Sequence, residues 1–352
     1  MKRRVVVEID LKALVRNYRK IAAHVKPAKV LCVLKANAYG LGVADYAKAL
    51  ASAGCTLFGV AEPFEALELK KALGCSPSKV SRLSSCRSKD VRRETRDAKA
   101  EIQILSSVLP DEIDEMVRAG VILPVTDVAT AKLISAAAVK AKTVAKVHFK
   151  LDTGMGRLGF QCDDAHFDES LHSILEVLKL PGLDVEGVFT HFCVSDEEAP
   201  EHVEFTKVQH DRFVRMIEAV ETQGDFKFRL HHCCNAGGIA SYPEWAWDMV
   251  RCGIILYGVG DLAEKMGMKP VMTVKTVVST IKNFTPDTYA LRQIMRVAKQ
   301  GGNICIMPEG MSSITGMAQP VIPGGAKLIK KLGLPVYYSK ISGGYMTYTK
   351  HC

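Results

Sequence analysis

Residues 30–40 read VLCVLKANAYG, an apolar, strand-like run that ends at Lys35 and continues into a turn containing Asn37, Tyr39 and Gly40. Parallel α/β sheets present functional groups at the carboxyl ends of their strands, which is where Lys35 stands. A lysine desolvated there has a lowered pKa and becomes an amine nucleophile, because burial disfavours its charged form. The alternative is a lysine that merely ends the strand and extends its amine to water, which is the commoner case for an isolated lysine.

Strand-like and helix-like segments alternate around this stretch. Apolar residues at helical spacing predict a helix over residues 10–23, with Asp10 as its N-cap. The other predicted helices are 43–53, 63–73, 110–119, 128–139, 167–179 and 200–223, and the predicted strands are 5–9, 30–34, 57–60, 102–105, 121–125, 144–150, 185–189, 228–232 and 250–256. Repeated strand–helix units predict an α/β fold with a parallel sheet, and about eight of them predict a (β/α)8 TIM-type barrel.

Polar residues follow several of these strands, and in a barrel they are expected to meet on one face. They are Lys35, Tyr39, Lys150, Asp152, Arg157, His191, His232, Asn235, Arg251, Gly253 and Tyr257. One amine nucleophile, several cations and a glycine-bearing turn suit an anionic ligand that carries an aldehyde, such as pyridoxal phosphate. Each residue alone is more often structural, so the prediction depends on the whole set.

Length and composition restrict the class of protein. The 352 residues are 48% hydrophobic, which is enough for one large domain or two modest ones. No apolar run is long enough for a membrane span or a secretory leader. Eleven cysteines without regular spacing indicate reduced thiols and a cytoplasmic protein. The run His-His-Cys-Cys at 231–234 suggests a metal, but adjacent strand residues point to opposite faces, so no metal site is expected.

The net charge of +9 is concentrated in two segments. Residues 76–100 carry eight lysines and arginines against three acids, and residues 283–352 carry eight against two. A nucleic-acid partner is not expected, because no aromatic residues are interleaved with the basic ones in 76–100. This basic insert indicates a solvated loop or an interaction tail.

Five blocks of sequence carry a resemblance. They are VEID (7–10), LKANAYG (34–40), KLDTGMGRLG (150–159), THF (190–192), and Asn235 followed by VRCGIILYG (250–258). In this order the chain resembles the alanine racemases, pyridoxal-phosphate enzymes with a (β/α)8 barrel followed by a β-rich domain. The resemblance covers residues 5 to about 282, and it implies pyridoxal phosphate as cofactor, alanine as substrate and a homodimer.

The resemblance implies a role for each matching residue. Lys35 is expected to form the aldimine and to act as one of two acid/base groups. Tyr39, Asn235, Gly253 and Ile254 are expected at the phosphate, and Tyr257 completes the cofactor-binding set. His191 is expected at the cofactor ring and Arg157 at its phenolic oxygen, with Lys150 orienting Arg157, in some relatives as a carbamate. Arg251 is expected at the pyridine nitrogen, where its permanent charge makes the ring a weaker electron sink.

Three departures from the family pattern change the expected activity. Ala236 replaces a serine that relatives have after the phosphate-site asparagine, and the basic insert lengthens a normally short connection. The resemblance ends near Lys282, so the tyrosine that relatives contribute across the dimer as second base is expected to be missing. Racemisation needs a proton group on each face, so impaired racemisation is expected. The alternatives are a non-catalytic barrel of pyridoxal-phosphate homeostasis and a chimeric chain without a selected function.

The C-terminal residues carry a second resemblance. They contain NICIMPEGMSS (303–313), PGGAKLI (323–329) and LGLPV (332–336). Over about residues 287–352 the chain resembles the glycerolipid (1-acyl-glycerol-3-phosphate) acyltransferases, but without the histidine–aspartate pair that such enzymes use. The expected organisation is a barrel over 1–260, the first strand of a truncated β-domain over 261–282, and an inactive acyltransferase-like α/β fragment over 283–352.

Overall fold

The computed structural model describes residues 5–74 and 100–276, together with the helical residues 295, 296 and 299. The chain divides into one compact unit up to Lys275 and a second from Thr276. Nearly all of the basic insert, the predicted acyltransferase-like blocks and the expected strand beyond residue 276 lie outside the described residues.

Parallel strands dominate the first unit. The strands are β1 (Val5–Ile9), β2 (Lys29–Val33), β3 (Leu57–Val60), β4 (Glu101–Ile104), β5 (Leu123–Val125), β6 (Ala145–Asp152), β7 (Phe160–Gln161), β8 (Leu183–Phe189), β9 (Leu230–His232), β10 (Met249–Cys252) and β11 (Met272–Thr276). Two parallel runs, in the orders β10-β2-β3-β4 and β5-β6-β8-β9, make up the barrel wall. A separate two-stranded sheet pairs β1 with β11.

Backbone hydrogen bonds close these two runs into one barrel. The amide of Ile104 donates to the carbonyl of Ile122 over 3.0 Å, and the amide of Ile122 donates to Ile102 over 2.8 Å, which joins β4 to the entry of β5. On the other side, the amide of Arg251 in β10 donates to the carbonyl of Cys234, just after β9, over 2.9 Å. Eight parallel strands therefore form a closed (β/α)8 barrel, and the predicted fold of this part of the chain is confirmed.

Helices connect the strands on the outside of the barrel. They are α1 (Leu11–His24), α2 (Val43–Ser52), α3 (Pro63–Ala72), α4 (Pro110–Ala119), α5 (Val128–Lys140), α6 (Phe167–Val177), α7 (Pro200–Gln223), α8 (Ala236–Ser241) and α9 (Asp261–Lys265), with short 3-10 turns at Pro243–Trp245 and Ile254–Tyr257. The Asp10 side chain caps α1 as predicted, by accepting a hydrogen bond from the amide of Ala13 over 2.9 Å. Of the helices in residues 5–74 and 100–276, none has the length and apolar character needed to cross a bilayer.

The predicted strand over 250–256 is wrong in its second half. Strand β10 ends at Cys252, and the chain then folds back on itself instead of pairing with a neighbour. The amide of Leu256 donates to the carbonyl of Gly253 over 3.0 Å, which closes the 3-10 turn. An apolar run of this length reads as a strand in the sequence, whereas the local hydrogen bond decides the structure.

The barrel interior contains an apolar side and a polar side. Leu31, Val33, Leu57 and Met249 form a small buried cluster contributed by β2, β3 and β10. Strand β6 places Lys146, His148, Lys150 and Asp152 on one face, because alternate residues of a strand point the same way. We call these four side chains the β6 column. It runs from the amino end of the barrel to the mouth, where the strands reach their carboxyl ends.

Candidate active site

Lys35 lies at the mouth, immediately after β2, where it begins a left-handed turn. The next four residues, Ala36 to Tyr39, have φ angles between 52° and 55°. Left-handed backbone costs a non-glycine residue about 1–2 kcal/mol, so surrounding contacts must stabilise this turn. Lys35 is itself exposed, and its amine makes no hydrogen bond or ion pair with the described residues.

Glu65 stabilises the turn from α3. Its buried carboxylate accepts a short hydrogen bond from the amide of Ala36, the residue after Lys35. The same carboxylate accepts from the amides of Ala61 and Glu62 over 2.8 and 3.1 Å. Sequence analysis missed Glu65. Its place three residues after the helix N-cap predicts the contact with Glu62 but not the one with Ala36.

Three aromatic residues support the other end of the turn. The Tyr39 hydroxyl lies 3.0 Å from the point where a Cβ on Gly253 would stand, so a larger residue there would displace it. The Tyr39 ring packs edge-on against Tyr257, 4.9 Å between centroids, and Tyr257 stacks on Tyr46 at 5.4 Å. Tyr257 is buried, and its hydroxyl donates to the carbonyl of Val33 over 3.3 Å. Tyr39 and Gly253 therefore meet as predicted, with Tyr257 packed beneath them.

His191 lies just after β8, among the basic residues of the mouth. Burial, followed by the positive charges of Arg251, Arg157, Lys150 and Lys35, lowers the pKa of His191 to about 2. Its imidazole is therefore neutral at physiological pH. The four cations that act on it come from three different strand ends and the loop after β6, so the fold brings together the charges that the sequence predicted at one face.

Lys150 is buried in the β6 column, and its ammonium group has like charges for neighbours. Burial and then the charge of Arg251, with a smaller effect of Arg157, lower the pKa of Lys150 to about 7 against the opposing charge of Asp152. Its amine donates to the carbonyl of Leu151 over 2.8 Å. The expected pairing of Lys150 with Arg157 is thus not a hydrogen bond in this structure, because both groups are donors.

Asp152 shapes the loop that delivers Arg157. Its carboxylate accepts from the amides of Gly154 and Gly156, each over 3.0 Å, and from the amide of Arg157 over 2.9 Å. Burial opposes ionisation of this carboxyl, but the three amide donors and Lys150 lower its pKa overall. The Arg157 side chain is exposed at the mouth.

Arg251 is fixed in the barrel centre by several acceptors. Its Nη1 donates to the carbonyl of His232 over 2.7 Å and to the imidazole Nδ1 of the same residue over 3.2 Å. Its Nη2 donates to the carbonyls of Thr190 and Cys233 over 2.6 and 3.0 Å. Only 4% of the residue is exposed, and burial lowers the pKa of the guanidinium to about 10, so it stays charged at neutral pH.

The Asn235 side chain forms hydrogen bonds with other residues of the protein through both its oxygen and its nitrogen. Its Oδ1 accepts from the Ser195 hydroxyl over 2.7 Å and from the amide of Gly238 over 3.0 Å, which caps α8. Its Nδ2 donates to the carbonyl of Phe192 over 2.9 Å. The structure therefore assigns this side chain to holding the start of α8. Ile254, in the 3-10 turn after β10, is 41% exposed.

Comparison with known proteins identifies the family. The model of the alanine racemase N-terminal domain matches residues 9–261. The alanine racemase of Desulforamulus reducens is 34% identical over 315 residues, which cover 88% of this chain and 76% of that protein. The chain belongs to the alanine racemase family.

Other racemases agree in sequence and in fold. The alanine racemase of Clostridium tetani is 33% identical over 333 residues, covering 94% of this chain and 77% of that protein. The solved alanine racemase of Clostridium difficile 630 in complex with cycloserine superposes with a TM-score of 0.67 at 28% identity, covering 80% of this chain and 70% of that one.

The extent of these alignments bears on the expected boundary near Lys282. An alignment over 94% of the chain reaches beyond that residue, so racemase similarity does not end there. None of the relatives and structures described above is an acyltransferase. The racemase family assignment is confirmed, and the acyltransferase-like segment stays a prediction.

The two histidines in the run at 231–234 point in opposite directions, as adjacent residues of a strand do. His232 is buried inside the barrel, whereas His231 points outward and lies 2.7 Å from the Asp248 carboxylate. Both cysteine thiols of the run donate to the carbonyl of Trp245. Within residues 5–74 and 100–276, no three histidine, cysteine or acidic side chains come together as metal ligands.

Proposed function

We propose that this chain is a pyridoxal-phosphate-dependent alanine racemase that interconverts L- and D-alanine. The observation that carries the proposal is that Lys35, Lys150 and Arg251 stand at the carboxyl ends of three barrel strands, with Arg157 in the loop after β6, in a barrel of the racemase family. An amine without a partner among the described residues, together with three further basic side chains, suits an anionic aldehyde.

The residues at the mouth fit pyridoxal phosphate. An aldehyde needs a free amine, and among the described residues the amine of Lys35 has no hydrogen-bond partner. A phosphate and a phenolate need positive charge, and the Asp152 carboxylate at the end of β6 is already satisfied by three amides. We assign Tyr39, Gly253, Ile254 and the Asn235 turn to the phosphate, and His191 to the ring.

The bound cofactor supplies an electron-withdrawing ring that acidifies the α-hydrogen of alanine. Lys35 holds the cofactor and moves a proton at the α-carbon on one face. Arg251 keeps its charge and is held in place by four acceptors, so with the cofactor bound it would disfavour protonation of the pyridine nitrogen. Arg157, whose loop is fixed by Asp152, adds positive charge at the phenolic oxygen.

The second proton group is a separate part of the proposal. Racemisation needs a donor on the face opposite Lys35, and the resemblance implies a tyrosine from the β-rich domain of a homodimer partner. Five tyrosines follow residue 282, and sequence analysis assigns none of them to this role, so we propose that racemisation is slow in this chain. The homodimer and the cytoplasmic location remain part of this proposal.

Deuterium exchange tests both parts. Protein loaded with pyridoxal phosphate is incubated in D2O with L-alanine and, separately, with D-alanine. Loss of the α-hydrogen is followed by NMR, and configuration by chiral chromatography. Exchange of one enantiomer with retained configuration is expected if Lys35 acts alone, and racemisation of both is expected if a second group is present.

The same experiment decides the alternatives. A Lys35-dependent visible absorption without exchange of either enantiomer would favour a non-catalytic cofactor-binding barrel. Absence of both the absorption and the exchange would contradict the proposed function. The acyltransferase-like segment over 287–352 is proposed to be inactive, so acyl transfer to 1-acyl-glycerol 3-phosphate should not exceed the rate without protein.

A further inference from the structure

A line of buried hydrogen bonds leads from Arg251 away from the mouth. Arg251 Nη1 lies 3.2 Å from Nδ1 of His232, and His232 Nε2 lies 2.9 Å from Nδ1 of His148. His148 Nε2 in turn lies 3.5 Å from Oε2 of Glu186. Both imidazoles are completely buried, and neither has a role in the proposed chemistry.

The direction of these hydrogen bonds follows from the donors at the Arg251 end. A guanidinium has only donors, so His232 Nδ1 must accept and its proton must be on Nε2. That proton is donated to His148 Nδ1, which places the proton of His148 on its own Nε2. This proton points at the Glu186 carboxylate, which accepts. The chain of donors and acceptors has one consistent assignment.

The assignment requires both imidazoles to be neutral. Burial lowers the pKa of His148 in spite of the Glu186 carboxylate beside it. Burial, followed by the charges of His148 and Arg251, places the pKa of His232 well below its usual range. A neutral imidazole has one donor and one acceptor, so the proton on each ring is set by its neighbours.

A bulge in β8 determines the position of Glu186. Val185 pairs with Val147 of β6, and Gly187 pairs with the next residue of β6, His148. Glu186 therefore has no partner in β6 and is the extra residue of a bulge. Bulges re-aim a side chain in this way. A Cβ on Gly187 would stand 2.9 Å from the His148 ring, so the glycine leaves room for the imidazole beside the bulge.

We propose that Glu186 is a positioning residue that accepts the buried Nε2–H proton of His148 and thereby completes the line of hydrogen bonds whose direction Arg251 sets. Without an acceptor at Glu186 this proton loses its partner, because the donors of Arg251 still hold both imidazoles in their Nε2–H tautomers. His148, and through it His232 beside Arg251, would then be held less firmly. The consequence for the cofactor rests on the proposed function, whereas the hydrogen bond to His148 does not.

The chain offers a matched control. Lys146 forms ion pairs with both Glu186 and Glu101, but only Glu186 reaches His148. Substitution of Glu101 therefore changes the charge around Lys146 and leaves the histidine line intact. Glu186→Gln retains an acceptor oxygen, Glu186→Leu removes it, and Glu186→Asp keeps the charge but withdraws it by one methylene.

The experiment is long-range 1H–15N NMR of protein labelled with 15N-histidine and free of cofactor, with His148→Asn and His232→Asn used for assignment. Neutral Nε2–H signals are expected for both residues in the wild type, in Glu101→Gln and in Glu186→Gln. In Glu186→Leu both tautomers should be kept, but the His148 Nε2–H proton should shift upfield and exchange faster with solvent, as expected for a lost hydrogen bond. If that variant does not fold, Glu186→Asp should show the same shift.

Two results would overturn the inference: an Nδ1–H tautomer of His232 in the wild type, or an unchanged His148 Nε2–H proton shift in the folded Glu186→Leu or Glu186→Asp variant. A second readout is the Kd of pyridoxal phosphate, expected to rise about tenfold in Glu186→Leu and to be unchanged in Glu101→Gln. Failure of wild-type protein to bind pyridoxal phosphate would count against the proposed function, while the NMR measurement would still decide the role of Glu186.

Discussion

Lys35 and Arg251 lie at the same barrel mouth, yet the protein holds them in opposite ways. Lys35 is exposed and its amine has no partner among the described residues, while the backbone after it is fixed in a left-handed turn. Arg251 is buried, and four acceptor contacts hold the guanidinium itself. A nucleophile must exchange partners during a reaction, whereas an electrostatic group must stay in place. The protein therefore fixes the backbone that follows Lys35, but it fixes the side chain of Arg251.

The largest expected effect is loss of function without loss of stability. In Lys35→Met the visible absorption with pyridoxal phosphate and the deuterium exchange of alanine should both disappear, because no other amine takes its place. The free energy of unfolding should change by less than about 0.5 kcal/mol, since the amine has no partner among the described residues. Urea titration and absorption spectra measure the two quantities.

Lys48→Met is the control for this experiment, because Lys48 is an exposed lysine on α2. It should retain both signals. A persistent absorption in Lys35→Met would show that another amine binds the aldehyde. The contrast between a reactive Lys35 and a fixed Arg251 would then no longer hold.

Arg251→Met should give the opposite result, with a large loss of stability. It removes the donors to the carbonyls of Thr190, His232 and Cys233, so buried acceptors are left unsatisfied. We expect the free energy of unfolding to fall by about 3 kcal/mol or more, measured by urea denaturation. Arg251→Lys keeps a charge but not the planar fork, so it should recover only part of the loss. A Met variant as stable as the wild type would contradict the structural reading of Arg251.

Glu65→Ala tests whether the backbone of the turn is held from α3. Three amides lose their acceptor, so a loss of about 2 kcal/mol is expected, with faster hydrogen exchange at the amide of Ala36. Binding of pyridoxal phosphate should weaken although Lys35 is unchanged. Glu68 lies exposed on the same helix, and Glu68→Ala should leave exchange at Ala36 as it is in the wild type.

The last expected effect is a change of stability with pH. Lys150 has a pKa of about 7 in the folded protein, against about 10.5 in an unfolded chain. Between pH 7 and 10 the unfolded chain therefore binds a proton that the folded one does not, and stability rises with pH. The free energy of unfolding of wild type minus that of Lys150→Met should rise by up to about 1.4 kcal/mol per pH unit, and should be flat below pH 7. Parallel curves for the two proteins would show that Lys150 is charged in the folded state.

The position of the barrel mouth could be predicted because the end of a strand is recognisable from a few consecutive residues. An apolar run followed by a polar residue placed Lys35, Lys150 and Arg251 at one face, and the alternation of elements predicted the barrel. The contacts of these residues could not be read in the same way. Glu65 reaches Ala36 across 29 positions of sequence, and no local pattern encodes that hydrogen bond.

Other contacts were missed because one residue type serves several purposes. An asparagine at a mouth can face a phosphate or cap a helix, and here the side chain of Asn235 caps α8. A tyrosine near a strand end can face a ligand or pack in the core, and Tyr257 packs on Tyr46. Four consecutive left-handed residues without glycine were also unpredictable, since tertiary contacts override the intrinsic backbone preference.

The β6 column has a consequence for the kinds of change that this gene can accept. A substitution at one of its four polar positions changes that side chain and leaves the direction of the others as it is. An insertion or deletion of one codon within residues 145–152 would instead turn Val147, Phe149 and Leu151 inward, and would carry the polar residues beyond it to the helix-facing side. In a deep mutational scan, nearly all in-frame insertions and deletions in this strand should be lost, whereas a larger share of the substitutions should be retained.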